Sequence, residues 1–419
     1  MNVLLATDSF PPRCGGSGWS TYELARALRD RSHAVLVVKV AAGRGGPETE
    51  VEFDGFRVIE FHAYAPDVPG LRNYFKNERL YPKLTRRLGQ LIAGEQIDIV
   101  HGQHVLSGPP SVQAARGTGI PSVVTVRDYW PVCYRSDLMH TPEGRRLCPG
   151  CSRVAGLEQG RPRVGFADLG RLLARRYLNA NMAFKRQALV DAGAVIAVST
   201  TIARDLVERA PELARARVEV IPNPVNVGAL RQRLATPRPM ADPYALYVGK
   251  LAVNKGTDHL IDVVEQADLD WPLVIAGDGP DRPRIEAAAR RSGRDIRFLG
   301  WVEQERAAVW LAHAAMLIFP SRGPESLSRV LLEAGALGVP IAAMHTGGTG
   351  DIVEDEITGL LSSSAAELAG DVRRIRHGEV LRQRLGAAAA RRTAETFDAA
   401  AIGARVEALY EGLLGERRR

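Results

Sequence analysis

Short aliphatic runs alternate with longer segments of helical periodicity along the whole chain, and this alternation limits the fold more than any other feature. The runs are rich in Val, Ile, Leu and Ala, as in residues 3–7 and 34–40. Continuous apolar runs of this kind predict strands of a parallel sheet that is buried on both faces, with the helical segments as the crossover connections. The chain is therefore predicted to be α/β.

The alternation occurs twice, which predicts two α/β domains in a chain of 419 residues, too long for one ordinary core. The pattern loosens after Pro222 and passes through Pro237 and Pro243, so a linker is expected there. We expect domains over 1–222 and 223–397, with a final helix over about 398–416 packing back on the first. Predicted strands cover 3–7, 34–40, 57–61, 97–101, 122–126, 195–198, 218–221, 244–248, 273–276, 296–299, 316–319, 340–343 and 359–361.

The net charge of +7 comes from the first half alone: residues 1–222 carry +8 and residues 223–419 carry −1. The excess lies in 72–87 and 153–186, and the second of these has the apolar spacing of an amphipathic helix. Of the 55 basic residues 49 are Arg, which indicates a coding bias, so a nucleic-acid partner is not expected. The two segments are compatible with an anionic or lipid-linked acceptor, with peripheral membrane contact, or with core packing beneath a solvated basic edge.

The chain shows no apolar run of the roughly 20 residues that span a bilayer, and Met1 leads into a strand pattern instead of a signal sequence. We expect a cytoplasmic protein, with peripheral contact at the inner face of the membrane left open. Four cysteines are too few for a secreted disulfide scaffold. Three of them surround a histidine, a set compatible with a structural zinc site, with free thiols or with a disulfide: Cys133, His140, Cys148 and Cys151.

Ligands of open parallel sheets bind beyond the carboxyl ends of the strands. After the first strand, Gly15 and Gly16 precede a helix expected near Thr21, where free backbone N–H groups favour an anion, although a plain turn is equally compatible. After strand 244–248 come Lys250 and Lys255, the only lysines of the second half. A compact ammonium group suits a phosphate, so this loop is predicted to bind a diphosphate.

The loop after strand 316–319 leads into a helix and carries two glutamates. Glu325 is expected at the helix entrance, where Ser326, Leu327 and Ser328 would offer free backbone N–H groups to an anion. Glu333 lies eight residues further on, about two helical turns, so that both carboxylates can address one extended ligand. Such a pair is common by chance, but its position after a strand favours a functional site.

Taken in order, these segments make the chain resemble the retaining glycosyltransferases of family 4, which have the GT-B architecture of two facing Rossmann-like domains and an interdomain cleft. The resemblance covers nearly the whole chain. It rests on Gly15-Gly16, residues 195–199, Ile221-Pro222-Asn223, Gly249-Lys250, Lys255-Gly256, Ala276-Gly277-Asp278-Gly279-Pro280 and the Glu-x7-Glu motif from Glu325 to Glu333.

The resemblance implies a nucleotide diphosphate sugar as donor, held mostly by the second domain, and no required cofactor. Lys250 and Lys255 would stabilise the leaving diphosphate, and Glu325 would contact the transferred sugar. With no Asp-x-Asp motif placed to hold a catalytic metal, lysines and a helix N-terminus would supply the positive charge. The phosphates would be bound by Gly15, Gly16, Ser326, Leu327 and Ser328, the base by Phe298 and Leu299, and the ribose by Glu333. Gly249, next to Lys250, is also implied in donor binding.

Arg127 stands after strand 122–126, where many family members carry His, and is counted with the catalytic residues. An Arg there is compatible with an anionic sugar, phosphate or acceptor, or with an impaired enzyme. The otherwise intact donor residues favour activity. Acceptor-side residues are expected to be His101, His104, Asp128, Tyr129 and Trp130.

The predicted function is metal-independent, retaining sugar transfer to an acceptor in glycan or glycoconjugate biosynthesis. Two alternatives stay open. A nucleotide-sugar 2-epimerase would share the fold, and a noncatalytic relative would bind anions or nucleic acid.

Overall fold

The computed structural model describes residues 1–68, 71–139, 148 and 166–417, with the backbone alone for 166–175. The described chain divides into two compact units. The first unit comprises the described residues of 1–137, 148–224 and 402–419, and the second those of 138–147 and 225–401.

The first unit is an α/β layer structure around a mainly parallel sheet. Its strands are β1 Asn2–Thr7, β2 Ala34–Gly43, β3 Thr49–Phe53, β4 Phe56–Tyr64, β5 Ile99–Gly102, β6 Ser122–Val126, β7 Ala194–Ala197 and β8 Val218–Val220. Its helices are α1 Gly16–Asp30, α2 Leu71–Tyr74, α3 Leu80–Gly94, α4 Gly108–Thr118, α5 Phe166–Val190 and α6 Thr200–Arg209, with a π-helical turn Phe75–Arg79 and a 3-10 turn Pro211–Arg215. Over the described residues the sheet has eight strands in the order β3-β4-β2-β1-β5-β6-β7-β8.

The second unit repeats this design with a smaller sheet. Its strands are β9 Ala245–Val248, β10 Leu273–Ala276, β11 Ile296–Gly300, β12 Met316–Phe319, β13 Ile341–Met344 and β14 Leu360–Ser362. The helices are α7 Val227–Arg231, α8 Leu260–Gln266, α9 Arg282–Ser292, α10 Gln304–Ala312, α11 Arg329–Leu337, α12 Thr349–Ile352, α13 Ala365–His377 and α14 Glu379–Thr396, with 3-10 turns Gln232–Ala235 and Val253–Lys255. The described strands pair in the order β11-β10-β9-β12-β13-β14, all parallel. The last helix of the chain, α15 Ala399–Arg417, belongs to the first unit from Ile402 onward.

The sequence-predicted strands are all present within a few residues, and β3 is the one that the aliphatic pattern missed. Its sequence, Thr49–Phe53, is largely exposed because β3 lies at the edge of the sheet and pairs antiparallel with β4. Asp54 and Gly55 form the two-residue turn between them, both with positive φ. An Asp-Gly pair between strands is a hairpin signal that could have located β3 from the sequence.

One local expectation was wrong: helix α1 begins at Gly16, not near Thr21, so the glycines after β1 form its cap and first turn. The segment after Pro222, where a linker was expected, contains α7. The Asn226 side chain accepts a hydrogen bond from the Ala229 backbone N–H at 2.9 Å and caps that helix.

Helix α3 shows how one sequence periodicity serves both core and surface. Its buried side chains recur at spacings of three and four: Leu80, Tyr81, Leu84, Leu88, Leu91 and Ile92. On the other face, Arg79, just before the helix, and Lys83 and Arg86 within it are exposed. The basic segment 72–87 is thus an amphipathic element whose apolar side is already covered.

Helix α15 contributes a large side chain to the centre of the first unit. Tyr410 is buried, and its hydroxyl lies 2.6 Å from Nδ1 of His101 on β5. The other ring nitrogen, Nε2, lies 2.6 Å from Oγ1 of Thr125 on β6. Burial lowers the pKa of His101 well below its ordinary value, so the ring is neutral and both nitrogens are satisfied by uncharged partners.

Replacing Tyr410 by Phe leaves the buried Nδ1 of His101 without its partner. We expect Tyr410→Phe to destabilise the protein by about 1–3 kcal/mol, the usual cost of an unsatisfied buried polar group. Urea unfolding followed by tyrosine and tryptophan fluorescence measures this as a lower midpoint. Tyr74→Phe, at a tyrosine that is 40% exposed, is the matched control; equal midpoints for the two variants would contradict the expected role of the bond.

Candidate functional site

The order of strands in the second unit identifies the edge at which a ligand can bind. The chain builds outward from β9 through β10 to β11, then returns to the other side of β9 to form β12. The strand order therefore reverses at β9 and β12, and ligands of open α/β sheets bind in the crevice outside the carboxyl ends of the strands at such a point. The predicted donor residues Lys250, Lys255 and Glu325 lie on the loops after β9 and β12.

Lys255 and Glu325 meet in this crevice. The Lys255 Nζ donates to Oε1 of Glu325 at 2.7 Å, with 33% of the lysine and 10% of the glutamate side chain exposed. The Ser321 hydroxyl donates to the same oxygen. A paired, largely buried carboxylate next to a partly exposed ammonium can address a ligand that carries both hydroxyls and negative charge.

Close backbone packing holds the Lys255 loop against the Glu325 loop. Gly256 has φ +67°, and a Cβ there would lie 1.7 Å from the Pro320 carbonyl oxygen, so only glycine fits. The Asn254 carbonyl accepts from the backbone N–H groups of Arg322 and Gly323 at 3.1 and 2.7 Å. The loops therefore form one structural element.

A half-buried ion pair adds to this contact. The Arg322 guanidinium donates to Asp258 Oδ2, and its Nη1 lies 2.5 Å from Nε2 of His259. Asp258 and His259 follow Lys255 on the same loop, so the ion pair fixes the loop on the side away from β9.

The loop after β13 supports Glu325 from behind. The Gly348 N–H donates to the Glu325 carbonyl at 2.7 Å. Gly347 has φ +52°, and a Cβ there would lie 2.1 Å from the same carbonyl oxygen. Glu325 is therefore positioned by three loops, those after β9, β12 and β13.

The helix after Glu325 begins later than the sequence analysis predicted. Helix α11 starts at Arg329 with Ser328 as its N-cap, so Glu325 precedes it by a loop of three residues and does not stand at its entrance. Leu327 is buried, and Ser326 and Ser328 are half-buried. The N–H groups of the first turn, which have no carbonyl partner within the helix, thus begin at Ser328.

Glu333 is buried on α11 and accepts two hydrogen bonds at one oxygen. Arg329 Nε and Gln304 Nε2 donate to its Oε1 at 2.7 and 2.6 Å. Burial raises the pKa of Glu333, while the Arg329 charge and both hydrogen bonds act to lower it. Sequence reasoning missed both donors, although the i,i+4 spacing of Arg329 and Glu333 on one helix was a usable signal. No signal marked Gln304, because its contact with Glu333 depends on how α10 packs against α11.

The ends of β9, β10 and β11 form the rest of this edge. Lys250 is exposed directly after Gly249, and its carbonyl accepts from the Tyr247 hydroxyl at 2.9 Å. The Gly277 N–H after β10 donates to the carbonyl of Gly300 at 2.8 Å. Two further donor-side candidates, Phe298 and Leu299, lie half-buried on β11 just before this contact.

The first unit has its own crevice, between β1 and β5, and a histidine lies there between two carboxylates. Nδ1 of His104 lies 3.1 Å from Asp8 Oδ2, and Nε2 lies 3.1 Å from Asp128 Oδ2. Burial alone would lower the pKa of His104, but Asp128 and Asp8 outweigh it and raise the pKa to about 10. His104 is therefore an imidazolium at neutral pH. Asp8 was not predicted, although its position directly after β1 was a usable signal.

Arg127 is buried beside this cluster. Its Nε donates to Asn223 Oδ1 at 2.9 Å and its Nη1 to the Gln103 carbonyl at 2.7 Å. Burial lowers its pKa to about 9, against the attraction of Asp8, so the guanidinium stays charged at neutral pH. The structure thus brings Arg127 close to Asp8 and ties it to Asn223 of the Ile221-Pro222-Asn223 motif.

Three of the five acceptor-side candidates lie in the interior. His101, Tyr129 and Trp130 are each at most 1% exposed, and both ring nitrogens of His101 are bonded within the sheet. Asp128 and His104 keep exposed surface. Gly15 and Gly16 are exposed at the start of α1.

The predicted zinc ligands are only partly within the described residues. Cys133 is buried and Cys148 half-buried, whereas His140 and Cys151 lie outside the described part of the chain. Among the residues that the structure describes, no group of three or more His, Cys, Asp or Glu side chains could hold a metal ion. The zinc site stays a prediction.

An Asp-x-Asp sequence, Asp268-Leu269-Asp270, precedes β10 and so lies at the amino ends of the strands. Its carboxylates pair with Arg294 and Arg376.

None of the described helices combines the length and apolar character that crossing a bilayer requires.

Two family models match the chain. Residues 14–228 match glycosyltransferase family 4, and residues 242–377 match glycosyl transferases group 1.

Curated relatives match along most of their length. A GDP-mannose-dependent alpha-mannosyltransferase of Mycolicibacterium smegmatis is 28% identical over 86% of this chain and 84% of its own. A D-inositol 3-phosphate glycosyltransferase of Xylanimonas cellulosilytica is 27% identical over 85% and 81%.

Solved structures match the whole fold. Sucrose-phosphate synthase from Thermosynechococcus elongatus superposes with a TM-score of 0.70 at 22% identity, covering 99% of this chain and 100% of that one. Anabaena HepE in complex with UDP-glucose gives 0.69 at 17% identity, covering 98% and 99%. The predicted GT-B fold is confirmed, and the family match over half of the chain shows that this protein belongs to glycosyltransferase family 4.

Proposed function

We propose that the protein is a retaining, metal-independent glycosyltransferase that moves a sugar from a nucleotide diphosphate sugar to an acceptor in glycan or glycoconjugate biosynthesis. The observation that carries the proposal is the contact between Lys255 Nζ and Glu325 Oε1, 2.7 Å apart at the crevice of the second sheet. Glycosyltransferase activity on nucleotide sugars fits the named relatives, and HepE, of the same fold, binds UDP-glucose.

The positive charge at the carboxyl-end edge of the second sheet suits cleavage of the bond between the sugar and the diphosphate. As the bond between the sugar and the diphosphate lengthens, negative charge grows on the phosphate oxygens. Lys255 and the exposed Lys250 supply compact positive charge, and the N-terminus of α11 adds the partial positive charge of the helix dipole. These groups would replace a metal ion in stabilising the leaving diphosphate.

Glu325 and the departing phosphate would divide the remaining work. With Lys255 drawn to the diphosphate, the Glu325 carboxylate is released to accept hydrogen bonds from hydroxyls of the transferred sugar. The acceptor hydroxyl would attack from the face that the phosphate leaves, passing its proton to a phosphate oxygen. One C–O bond forms as the other breaks, and the anomeric configuration is retained.

The His104 cluster supports a role in binding the acceptor. Two carboxylates held around an imidazolium offer hydrogen-bond acceptors to a hydroxyl-bearing molecule. Asp8 is held by the Leu106 N–H at 3.0 Å and Asp128 by the Trp130 N–H at 2.8 Å. Both carboxylates are thus oriented before an acceptor binds.

A basic and aromatic surface of the first unit favours an anionic or lipid-linked acceptor. Tyr64 and Tyr74 are more than one-third exposed and both contact the Phe75 ring edge-on. The exposed Arg79, Lys83 and Arg86 continue along the same helical run. One relative is named for D-inositol 3-phosphate, an anion.

Removing Lys255 tests the proposed donor site. We expect wild-type protein to bind and slowly hydrolyse at least one nucleotide sugar in a screen of UDP-, GDP- and ADP-sugars, with no loss of rate in EDTA. Lys255→Ala should lower kcat about a hundredfold or more, because the negative charge that develops on the leaving diphosphate in the transition state loses its positively charged partner. NMR of the released sugar should show that it has the same anomeric configuration as the donor. If the product is instead an epimerised nucleotide sugar, the protein is the alternative 2-epimerase.

Arg291→Ala, which removes an exposed cation from the end of α9, is the control and should behave as wild type. If no nucleotide sugar binds or is turned over, and Lys255→Ala changes nothing, the protein is not the proposed transferase.

The pKa of His104 yields a pH test of the acceptor cluster. Because the folded pKa is raised to about 10, the stabilisation by this imidazolium is present in full below about pH 6.5 and is lost as the pH rises through 10. NMR of the His104 ring, assigned with His104→Gln, should show it protonated at pH 8. Asp128→Asn should lower that pKa and weaken acceptor binding; a ring that titrates near 6.5 in the wild type would contradict the paired geometry.

Vesicle binding tests the basic surface. The protein should co-sediment with phosphatidylglycerol vesicles but not with phosphatidylcholine vesicles, and less so at high salt. A triple variant with Arg79, Lys83 and Arg86 changed to Glu should bind at least about a hundredfold more weakly, because each lost basic residue costs about 1 kcal/mol and each new carboxylate is repelled by the anionic lipid. Arg290→Glu with Arg291→Glu, on the second unit, is the control; equal binding of all three proteins would argue against this surface.

A further inference from the structure

The first turn of α11 contains an ion pair that the general donor chemistry does not explain. Arg329 is the first residue of the helix, and Glu333 lies one turn later on the same face. The Arg329 Nε lies 2.7 Å from Glu333 Oε1, with 11% and 8% of the two side chains exposed. A charged pair this deeply buried is costly to form, so it calls for an explanation beyond stability.

A second element holds the same carboxylate oxygen. Gln304 begins α10, four residues after β11 ends at Gly300, and its Nε2 donates to Glu333 Oε1 at 2.6 Å. Neither of these two donors engages Oε2. The carboxylate is thus oriented through one oxygen, which leaves the other for a ligand hydroxyl.

Arg329 is the charged side chain that counteracts the burial of Glu333. Burial raises the pKa of Glu333, and the charge and hydrogen bond of Arg329 lower it, with a smaller contribution from Gln304. Other cations near α11 are directed elsewhere: Arg231 of α7 donates to the Ala336 carbonyl, and Arg392 of α14 donates to carbonyls of α12. Without Arg329, burial would favour the neutral acid.

We propose that Arg329 is a positioning residue for recognition of the donor's ribose, acting by keeping Glu333 ionised and by fixing its orientation together with Gln304. The inference rests on the proposed function and on the contact with the ribose hydroxyls that the family resemblance implies for Glu333. An ionised carboxylate accepts a stronger hydrogen bond from a hydroxyl than a neutral carboxylic acid does. It also has no O–H group that needs a hydrogen-bond acceptor of its own. Arg329 therefore favours ribonucleotides over their 2′-deoxy forms without touching either.

The experiment compares the affinities of UDP, GDP and ADP with those of the matching 2′-deoxynucleoside diphosphates, by calorimetry between pH 5 and 8. For the nucleotide that binds best, the wild type should prefer the ribo form by about tenfold or more, as expected for a hydrogen bond to a charged group. Arg329→Met should bring the ratio of ribo to 2′-deoxy affinity close to one at pH 7. As the pH is lowered, this variant should lose its affinity for the ribonucleotide at a higher pH than the wild type does. Arg329→Lys, which keeps the charge, should restore most of the preference.

Two further variants separate positioning from folding. Glu333→Gln should lose the preference at every pH, because it has no ionisable group. Gln304→Leu should weaken it partially and supplies the test if Arg329→Met does not fold. A ribo-to-deoxy ratio that none of the folded variants changes would overturn the role of Arg329 while leaving the transferase proposal intact. A wild type that binds no nucleoside diphosphate would overturn the transferase proposal itself.

Discussion

The pairing of β9 with β12 is the constraint on which the second unit's site depends. These strands are neighbours in the sheet although about 70 residues separate them in the chain, with Ala245 opposite Met316 and Leu246 opposite Leu317. Parallel pairing brings their carboxyl ends to one edge, and the loops that carry Lys255 and Glu325 leave side by side from that edge. The 2.7 Å contact between them follows from strand order, since nothing local in either loop would bring the two charges together.

Both sheets gather charged groups at the carboxyl ends of their central strands, and in each case the charges are paired within the unit. Buried charges are tolerated only when they are paired or hydrogen-bonded. In the second unit Lys255 is paired with Glu325 and Arg329 with Glu333. In the first unit His104 lies between two carboxylates, and the buried Arg127 is held by an amide and a carbonyl oxygen. Such pairs can exchange partners with an incoming ligand without leaving a charge unpaired.

The sequence predicted strands better than helix starts. Strands β10 and β12 are short aliphatic runs that are fully buried, a pattern that favours a central strand over a loop or a surface helix. Their predicted bounds therefore matched the observed ones. The starts of α1 and α11 were wrong because glycine and serine fit either a loop or a first helical turn, and local residue type does not decide between them. The edge strand β3 lacked an aliphatic run, so its Asp54-Gly55 turn was the signal to use.

The α/β class, the two sets of strands and the loops that carry Lys250, Lys255 and Glu325 could be predicted from the amino-acid sequence, because they depend on hydrophobic periodicity and on position after a strand. Which candidate side chains meet, and which are buried in the interior, could be learned only from the folded chain. The tertiary structure placed His101, Tyr129 and Trp130 in the core, joined Asp8 to His104 and Asp128, and brought Gln304 to Glu333. Those outcomes depend on how distant elements pack, and the physical reason is that burial and charge pairing are properties of the folded neighbourhood and not of any short stretch of chain.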